Sequence, residues 1–371
     1  MMASCKIIDK EQLSNLSFVL KKPLEVGFQE RPKPSIQDQH DVLVAIGRTG
    51  ICGSDVHYWE HGSIGRFVVS KPMVLGHESA GIVVEAGSAS GFQPGDRVAI
   101  EPGRWCGRCG DCQSGHYNLC KDMIFAATPP YDGTLTGVWC APAACLNRLP
   151  DGVSLDEGAL VEPLAVAVHA IRLAGDGVRP GRSMVVLGAG PVGLLCAAVA
   201  RAYGASPIVV VDVNAKRLEF AKTMASCATH TYLTRADKAP KEAAEQIAAS
   251  AGLGQGADTV IEASGAQPSI QTGVLAVRPG GSYVQVGMGG AEARLPMMEL
   301  CIKEVTMRGS FRYSSGDFAL AVALISQGRV NVKQLISERV SFDRAEEAFA
   351  KVKRGEGIKL VIAGPNDDVC D

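Results

Sequence analysis

Cys106, Cys109, Cys112 and Cys120 follow one another in the spacing C-x2-C-x2-C-x7-C, which gathers four thiols on one short lobe. Soft, anionic thiolates in a tetrahedral array suit Zn2+. A shell closed by four protein ligands leaves no open position for chemistry, so the lobe is expected to hold a structural zinc. Upstream, Cys52 stands in Gly50-Ile51-Cys52-Gly53-Ser54-Asp55, and the pair His77-Glu78 follows Gly76. A catalytic zinc needs protein donors plus a free position for a substrate oxygen. Cys52 and His77 supply the soft and borderline donors, and Glu78 and Glu162 are the candidate carboxylates. Both loops are flanked by glycine, which suits close packing around an ion, and Asp55 is a candidate acceptor for the His77 ring. Two zinc ions per chain are therefore expected. A nucleic-acid-binding ribbon is not favoured. Arg104, Arg108 and Lys121 are nearly cancelled by Glu101, Asp111 and Asp122, and no row of stacking aromatics accompanies them.

The stretch that carries Cys52 and His77 alternates short β-rich runs with Pro, Gly and Asp turns. Residues 41–46 and 81–85 are examples, and no helical periodicity appears between about 19 and 98. A β-rich, barrel-like domain is expected there, with the cysteine lobe protruding from it. From about residue 165 the texture changes. Strand-like runs (184–187, 208–211, 259–261, 283–286) alternate with helix-like ones (192–203, 215–224, 241–251, 268–276). That pattern argues for a parallel, doubly wound sheet, and so for an α/β fold overall. After about residue 304 the texture is mixed again, with amphipathic helices expected over 318–327 and 344–353.

Gly188-Ala189-Gly190-Pro191-Val192-Gly193 follows the first of those strand-like runs and opens a helix, the setting a G-x-G-x-x-G needs for dinucleotide binding. Gly188 allows the tight turn, Gly190 lets backbone approach a pyrophosphate, and Gly193 lets the helix pack on its strand. At the end of the next strand-like run Asp212 places a carboxylate 19 residues beyond Gly193. There it accepts from ribose hydroxyls and repels a 2′-phosphate, so NAD is favoured over NADP.

The 371 residues suit two domains, and 42 Gly with 5% aromatics suits many tight strand-to-helix turns. A net charge of −2 gives no footprint for nucleic acid or an anionic membrane. The apolar stretch 184–200 reads as strand, glycine turn and buried helix, not as a membrane span. No basic start followed by an apolar run marks the N-terminus, so a reducing cytoplasm is expected, where clustered cysteines bind metal more often than they form bridges. Cys5, Cys140, Cys145, Cys196, Cys227, Cys301 and Cys370 show no ligand spacing and are read as small apolar fillers or spectators.

Together these motifs resemble the zinc-dependent medium-chain dehydrogenases, polyol branch, over essentially the whole chain. Residues 76–81, Gly-His-Glu-Ser-Ala-Gly, resemble the family's zinc signature, and 50–55 its first ligand loop. Glu162, in Val-Glu-Pro-Leu, stands where ethanol-type relatives carry a cysteine. Residues 52–59 and 309–313 also resemble the polyol branch, and within it 125–135 most resembles fungal xylitol dehydrogenases. The resemblance implies a GroES-like catalytic domain (1–164), a Rossmann domain (165–304) and a part returning to the catalytic domain (305–371). It implies NAD-dependent oxidation of xylitol to D-xylulose in pentose catabolism, with L-arabinitol and sorbitol as alternative substrates and a non-catalytic zinc-binding protein as the alternative of another class. Cys52, His77 and Glu78 would hold the catalytic zinc with Glu162 close by, and Tyr58, Glu162, Arg312 and Tyr313 would meet the substrate. Ser54 and then His57 would carry the proton away. Pro191 and Val192 would join the glycine turn on the cofactor, Arg217 would lie on the adenosine, and Val286, Gly287 and Met288 would line the nicotinamide end. The resemblance also implies a homotetramer, with 283–286 at a sheet edge pairing across a two-fold axis.

Overall fold

The computed structural model describes residues 10–224, 227–235 and 237–367. Cys5 and Cys370 lie outside the described residues. The chain divides into two compact units. One comprises Met1–Glu162, Ala321–Ser326 and Leu335–Asp371, the other Pro163–Leu320 and Gln327–Gln334.

The first unit is built on a seven-stranded sheet ordered Leu146–Arg148, Arg97–Ile100, Glu78–Ala86, Asp41–Gly50, Lys359–Ala363 and Ile336–Val340, with Val138–Pro142 also pairing to Asp41–Gly50. Asp41–Gly50 reads DVLVAIGRTG and is buried along nearly its whole length, as a strand with three partners must be. Val42, Val44 and Ile46 pack with Val83, Val98 and Ile100 on one side of it. A second cluster gathers Phe18, Tyr58, Trp59, Leu75, Phe349 and Leu360. Glycine permits close approach between strands: a Cβ on Gly81 would stand 2.1 Å from the Ala45 carbonyl oxygen.

The stretch expected to be free of helix contains one, Gly53–His61. Its hydrophobic periodicity is weak because it is short and buries Asp55 along with Val56, Tyr58 and Trp59. What starts it is local: Cys52 is the N-cap, and the Asp55 side chain accepts from the Cys52 N–H.

The second unit is a six-stranded sheet ordered His230–Leu233, Ile208–Asp212, Met184–Leu187, Ala257–Glu262, Val277–Gln285 and Thr306–Gly309, all neighbours parallel. Its central strands are almost wholly buried, and helices Pro191–Ala202, Ala215–Thr223, Pro240–Ser250 and Gln267–Ala276 lie between them in sequence, the doubly wound arrangement. Thr306–Gly309, expected in the returning C-terminal part, completes this sheet. It also displaces the expected edge: Tyr283 is fully buried on an interior strand, and the edge is Thr306–Gly309, exposed at every residue. An apolar strand such as 283–286 is more at home inside a parallel sheet than at its rim.

Gly81→Ala should force apart the strands that Gly81 joins, at a cost of about 2–3 kcal/mol. Thermal unfolding should show a midpoint roughly 5 °C or more below the parent, and an unchanged midpoint would mean that this contact relaxes freely.

Candidate metal and dinucleotide sites

The metal corner is assembled by strand register. Gly50, the last residue of its strand, lies opposite Glu78, the first residue of the neighbouring one, and opposite Val361 on the other side. A Cβ on Gly50 would meet Glu78 Oε2 at 2.3 Å, so only glycine lets the chain pass and deliver Cys52 beside His77 and Glu78. Gly76 has φ +91°, and a Cβ there would strike Leu135 at 2.7 Å. Asp55, itself buried, ties the pieces together. Its Oδ1 accepts from Gly76 N at 3.0 Å, and its Oδ2 lies 3.3 Å from His77 Nδ1.

One ligand atom from each of Cys52, His77 and Glu78 lies within 4.8 Å of the others. Burial would lower the His77 pKa, but the Asp55 carboxylate and the Cys52 thiolate beside it outweigh this and hold it well above its ordinary value. Such an electron-rich pocket fits a cation. Glu162 is buried at the start of the helix Val161–Leu173 and falls outside this three-residue group. Ser54 Oγ donates to Cys52 Sγ at 3.2 Å, and His57 is exposed with its ring edge-on to His61. Tyr58 is buried in the adjoining apolar cluster.

Sequence reasoning missed Lys359. Its ammonium is buried, donates to the Ile51 carbonyl at 2.9 Å and to Glu78 Oε1 at 2.6 Å, and sits against Glu78 Oε2 as well. Burial opposes its charge, yet Glu78, Cys52 and Glu162 together raise its pKa above the ordinary value. The only signal in the sequence is one lysine opening the apolar run Lys-Leu-Val-Ile-Ala.

In the cysteine lobe the four sulfurs also fall within 4.8 Å of one another, with 3.4 Å between Cys109 and Cys112 and 3.8 Å between Cys106 and Cys112. Zinc–thiolate bonds of about 2.3 Å in a tetrahedron put sulfurs about 3.8 Å apart, so the array fits that ion. Backbone N–H groups of Arg108 and Cys109 lower the Cys106 thiol to about 6, whereas burial and the neighbouring thiols push Cys112 up to about 12. A divalent cation relieves that opposition.

In the second unit the three motif glycines differ in their surroundings. Gly188 has φ +106°, a Cβ on Gly190 would meet nothing within 4 Å, and a Cβ on Gly193 would lie 1.9 Å from the Gly188 carbonyl oxygen. The turn is thus tight at the first, open to a ligand at the second and close-packed at the third, which fits a pyrophosphate over the N-terminus of the helix opened by Pro191 and Val192. Asp212 accepts from Ala189 N at 2.7 Å and Asn214 N at 2.8 Å, which fixes its carboxylate against the turn. A cavity of about 170 Å³ beside it is lined by Gly188, Asp212, Arg235, Lys238, Ser264 and Ala266 among others. Arg217 stands on the following helix and is not among the residues lining that cavity. Val286 and Gly287 follow the strand Val277–Gln285, and Met288 is well exposed. Arg312 has φ +56° on the turn before the helix Asp317–Ser326, and Tyr313 is buried against Phe318. Asp317 pins that turn: its Oδ2 accepts from Ser314 N at 2.7 Å and from His169 Nδ1 at 2.8 Å, and Arg172 bonds its Oδ1.

This pairing of a thiolate–imidazole–carboxylate corner with a doubly wound dinucleotide turn defines a class, and residues 38–151 match the alcohol dehydrogenase GroES-like domain while residues 191–327 match the zinc-binding dehydrogenase domain. The chain belongs to the zinc-dependent medium-chain alcohol dehydrogenases. Within them it is 56% identical over 95% of its length, and 98% of the relative's, to a protein named "Probable D-xylulose reductase A" from Neosartorya fischeri. It is 55% identical over 94% of its length to D-xylulose reductase A from Aspergillus niger, covering 97% of that protein. Among solved structures, L-idonate 5-dehydrogenase from Escherichia coli superposes with a TM-score of 0.84 at 33% identity, over 94% of this chain and 98% of that one.

With metal removed, Lys359→Met should destabilise the protein by about 3–5 kcal/mol, because it leaves Glu78 buried and unpaired. Adding Glu78→Gln should recover much of that loss in denaturant unfolding. Equal stabilities for the single and double variants would show that the ion pair does not matter to the fold.

Proposed function

We propose that the chain catalyses the reversible oxidation of xylitol to D-xylulose with NAD, at a zinc held by Cys52, His77 and Glu78. The convergence of those three donors on one buried corner carries the chemistry, and the identity to relatives named D-xylulose reductase supports the substrate. A bound zinc supplies the charge that acidifies a substrate hydroxyl, and bound NAD supplies the hydride acceptor. Asp55 holds the His77 ring in one tautomer, so that its other nitrogen is free to donate electrons. Lys359 neutralises the excess acid of the corner. Ser54 relays the released proton outward, accepting it at Oγ as its own hydroxyl proton moves on, and exposed His57 carries it to solvent.

Glu162, Tyr58, Arg312 and Tyr313 are proposed to bind the hydroxyl chain. Arg312 suits a polyol because its fixed fork of donors needs several acceptors. Asp212 is proposed to bind the adenosine ribose and to select NAD, with Arg217 toward the adenine and Val286, Gly287 and Met288 at the nicotinamide end. Two cations also line the cavity, Arg235 paired with Asp237 and Lys238 with Glu242. A second zinc in Cys106, Cys109, Cys112 and Cys120 is assigned a structural role. A cytoplasmic homotetramer is proposed. No helix among the described residues is long and apolar enough to cross a membrane. The exposed edge strand Thr306–Gly309, with exposed Met297, Met298 and Ile302 close by in sequence, supports self-association.

Initial rates with NAD and with NADP on xylitol, sorbitol, L-arabinitol and ribitol test this reading. Xylitol with NAD should give the highest kcat/KM. Arg312→Ala should raise KM for xylitol by about tenfold or more, the cost of two lost hydrogen bonds. It should leave 2-butanol nearly unaffected, since that alcohol offers no further hydroxyls. Equal losses on xylitol and 2-butanol would remove Arg312 from substrate recognition, and preference for another polyol would replace the substrate.

A further inference from the structure

Glu262, the last residue of the strand Ala257–Glu262, is fully buried and has no part in the roles assigned so far. Its carboxylate collects four neutral donors. Oε1 accepts from Ser264 N at 3.0 Å and from the Ser264 hydroxyl, and Oε2 accepts from Gly265 N at 2.8 Å and Gln285 Nε2 at 2.7 Å. The Glu262 backbone carbonyl accepts from Val286 N and Gly287 N, each at 2.8 Å. Gln285 Nε2 also donates to the Gly287 carbonyl at 2.8 Å, and the Tyr283 hydroxyl orients that amide by donating to Gln285 Oε1 at 2.6 Å.

One residue thus ties together the loops that leave two adjacent strands. Those loops are pressed to the limit of backbone contact. A Cβ on Gly287 would stand 2.3 Å from Gly265 N and 2.8 Å from Glu262 Oε2, and a Cβ on Gly289 would stand 1.9 Å from the Gly265 carbonyl oxygen. A buried carboxylate is costly unless its lone pairs are filled, and bonds to an ionised acceptor are roughly twice as strong as neutral ones, so this junction is stiff.

Its place in the sheet says what the stiffness serves. The chain order reverses between Met184–Leu187 and Ala257–Glu262, and a dinucleotide spans such a reversal with one nucleotide on each side. With the adenosine toward Asp212, the other nucleotide lies over the ends of Ala257–Glu262 and Val277–Gln285. We propose that Glu262 is a positioning residue for the nicotinamide half of the cofactor: it holds the Gly265 and Gly287 loops as one rigid floor without itself touching the ligand. This rests on the dinucleotide reading above.

The test compares the Kd of NADH with that of ADP-ribose, which lacks the nicotinamide, for the parent, Glu262→Gln and Gln285→Leu. Glu262→Gln keeps the shape but replaces one acceptor oxygen by an amide that confronts an N–H group. NADH should bind about tenfold more weakly to Glu262→Gln and about threefold more weakly to Gln285→Leu, the losses expected for a broken buried hydrogen bond. ADP-ribose should change by less than about twofold, and zinc content should not change. If Glu262→Gln does not fold, the same split in Gln285→Leu decides. Equal weakening of both ligands, or no weakening of NADH, overturns the proposal. A parent protein that binds neither ligand overturns the dinucleotide reading itself, and this inference with it.

Discussion

Taking His77, Glu78 and Asp55 out of water while setting them beside a thiol is the condition around which the first unit is organised. Each group would be better solvated outside, and two of them are acids. The fold answers with one buried cation, Lys359, lodged against Glu78, and with backbone placed to hold every piece. The corner exists because the strand Asp41–Gly50 has neighbours on both sides: one sets Glu78 opposite its final residue, and the other sets Val361 there, from whose strand the Lys359 side chain reaches in. Gly50 and Gly76 are small because that crossing leaves no volume. Asp55 is at once a cap for the helix that begins after Cys52 and a brace for His77. Structure and electrostatics are here one problem: remove the countercharge and the buried acids oppose folding.

On the proposed reading the second unit meets a different demand, a rigid cradle for an anionic, extended ligand. It does so chiefly with backbone. The packed contact at Gly193 and the bond that holds Asp212 to Ala189 fix main-chain donors beside the open face at Gly190 before any ligand arrives. Such preorganisation reduces the ordering cost of binding. The same device recurs at Asp317, whose bonds to Ser314, His169 and Arg172 stabilise a turn that includes a left-handed Arg312, a conformation that a side chain with a Cβ adopts only when its surroundings insist.

Features carried by short sequence separations were legible. The four cysteines, the glycine turn with Asp212 and the β-α alternation are local patterns whose geometry follows from spacing, and the helices Pro240–Ser250 and Gln267–Ala276 fall where periodicity put them. The strand His230–Leu233 escaped notice because it is four half-exposed residues with no apolar run. The helix Gly53–His61 escaped because caps and a buried Asp55, not a stripe, hold it in place. Lys359 lies 281 residues from Glu78, and no local pattern can announce a pair closed by sheet register. The true sheet edge was hidden for the same reason. Strand order is a long-range property, and the polar Thr306–Gly309 could pair at the rim where the apolar 283–286 could not.

The proposed chemistry depends on a metal in the corner between Cys52, His77 and Glu78. The most direct measurement is a crystal structure with anomalous diffraction collected above and below the zinc absorption edge. Two zinc peaks per chain are expected, one bonded to the four sulfurs of the cysteine lobe at about 2.3 Å and one bonded to Cys52 Sγ and His77 at about 2.3 and 2.1 Å. A peak in the cysteine lobe alone, from protein that still oxidises xylitol with NAD, would contradict it.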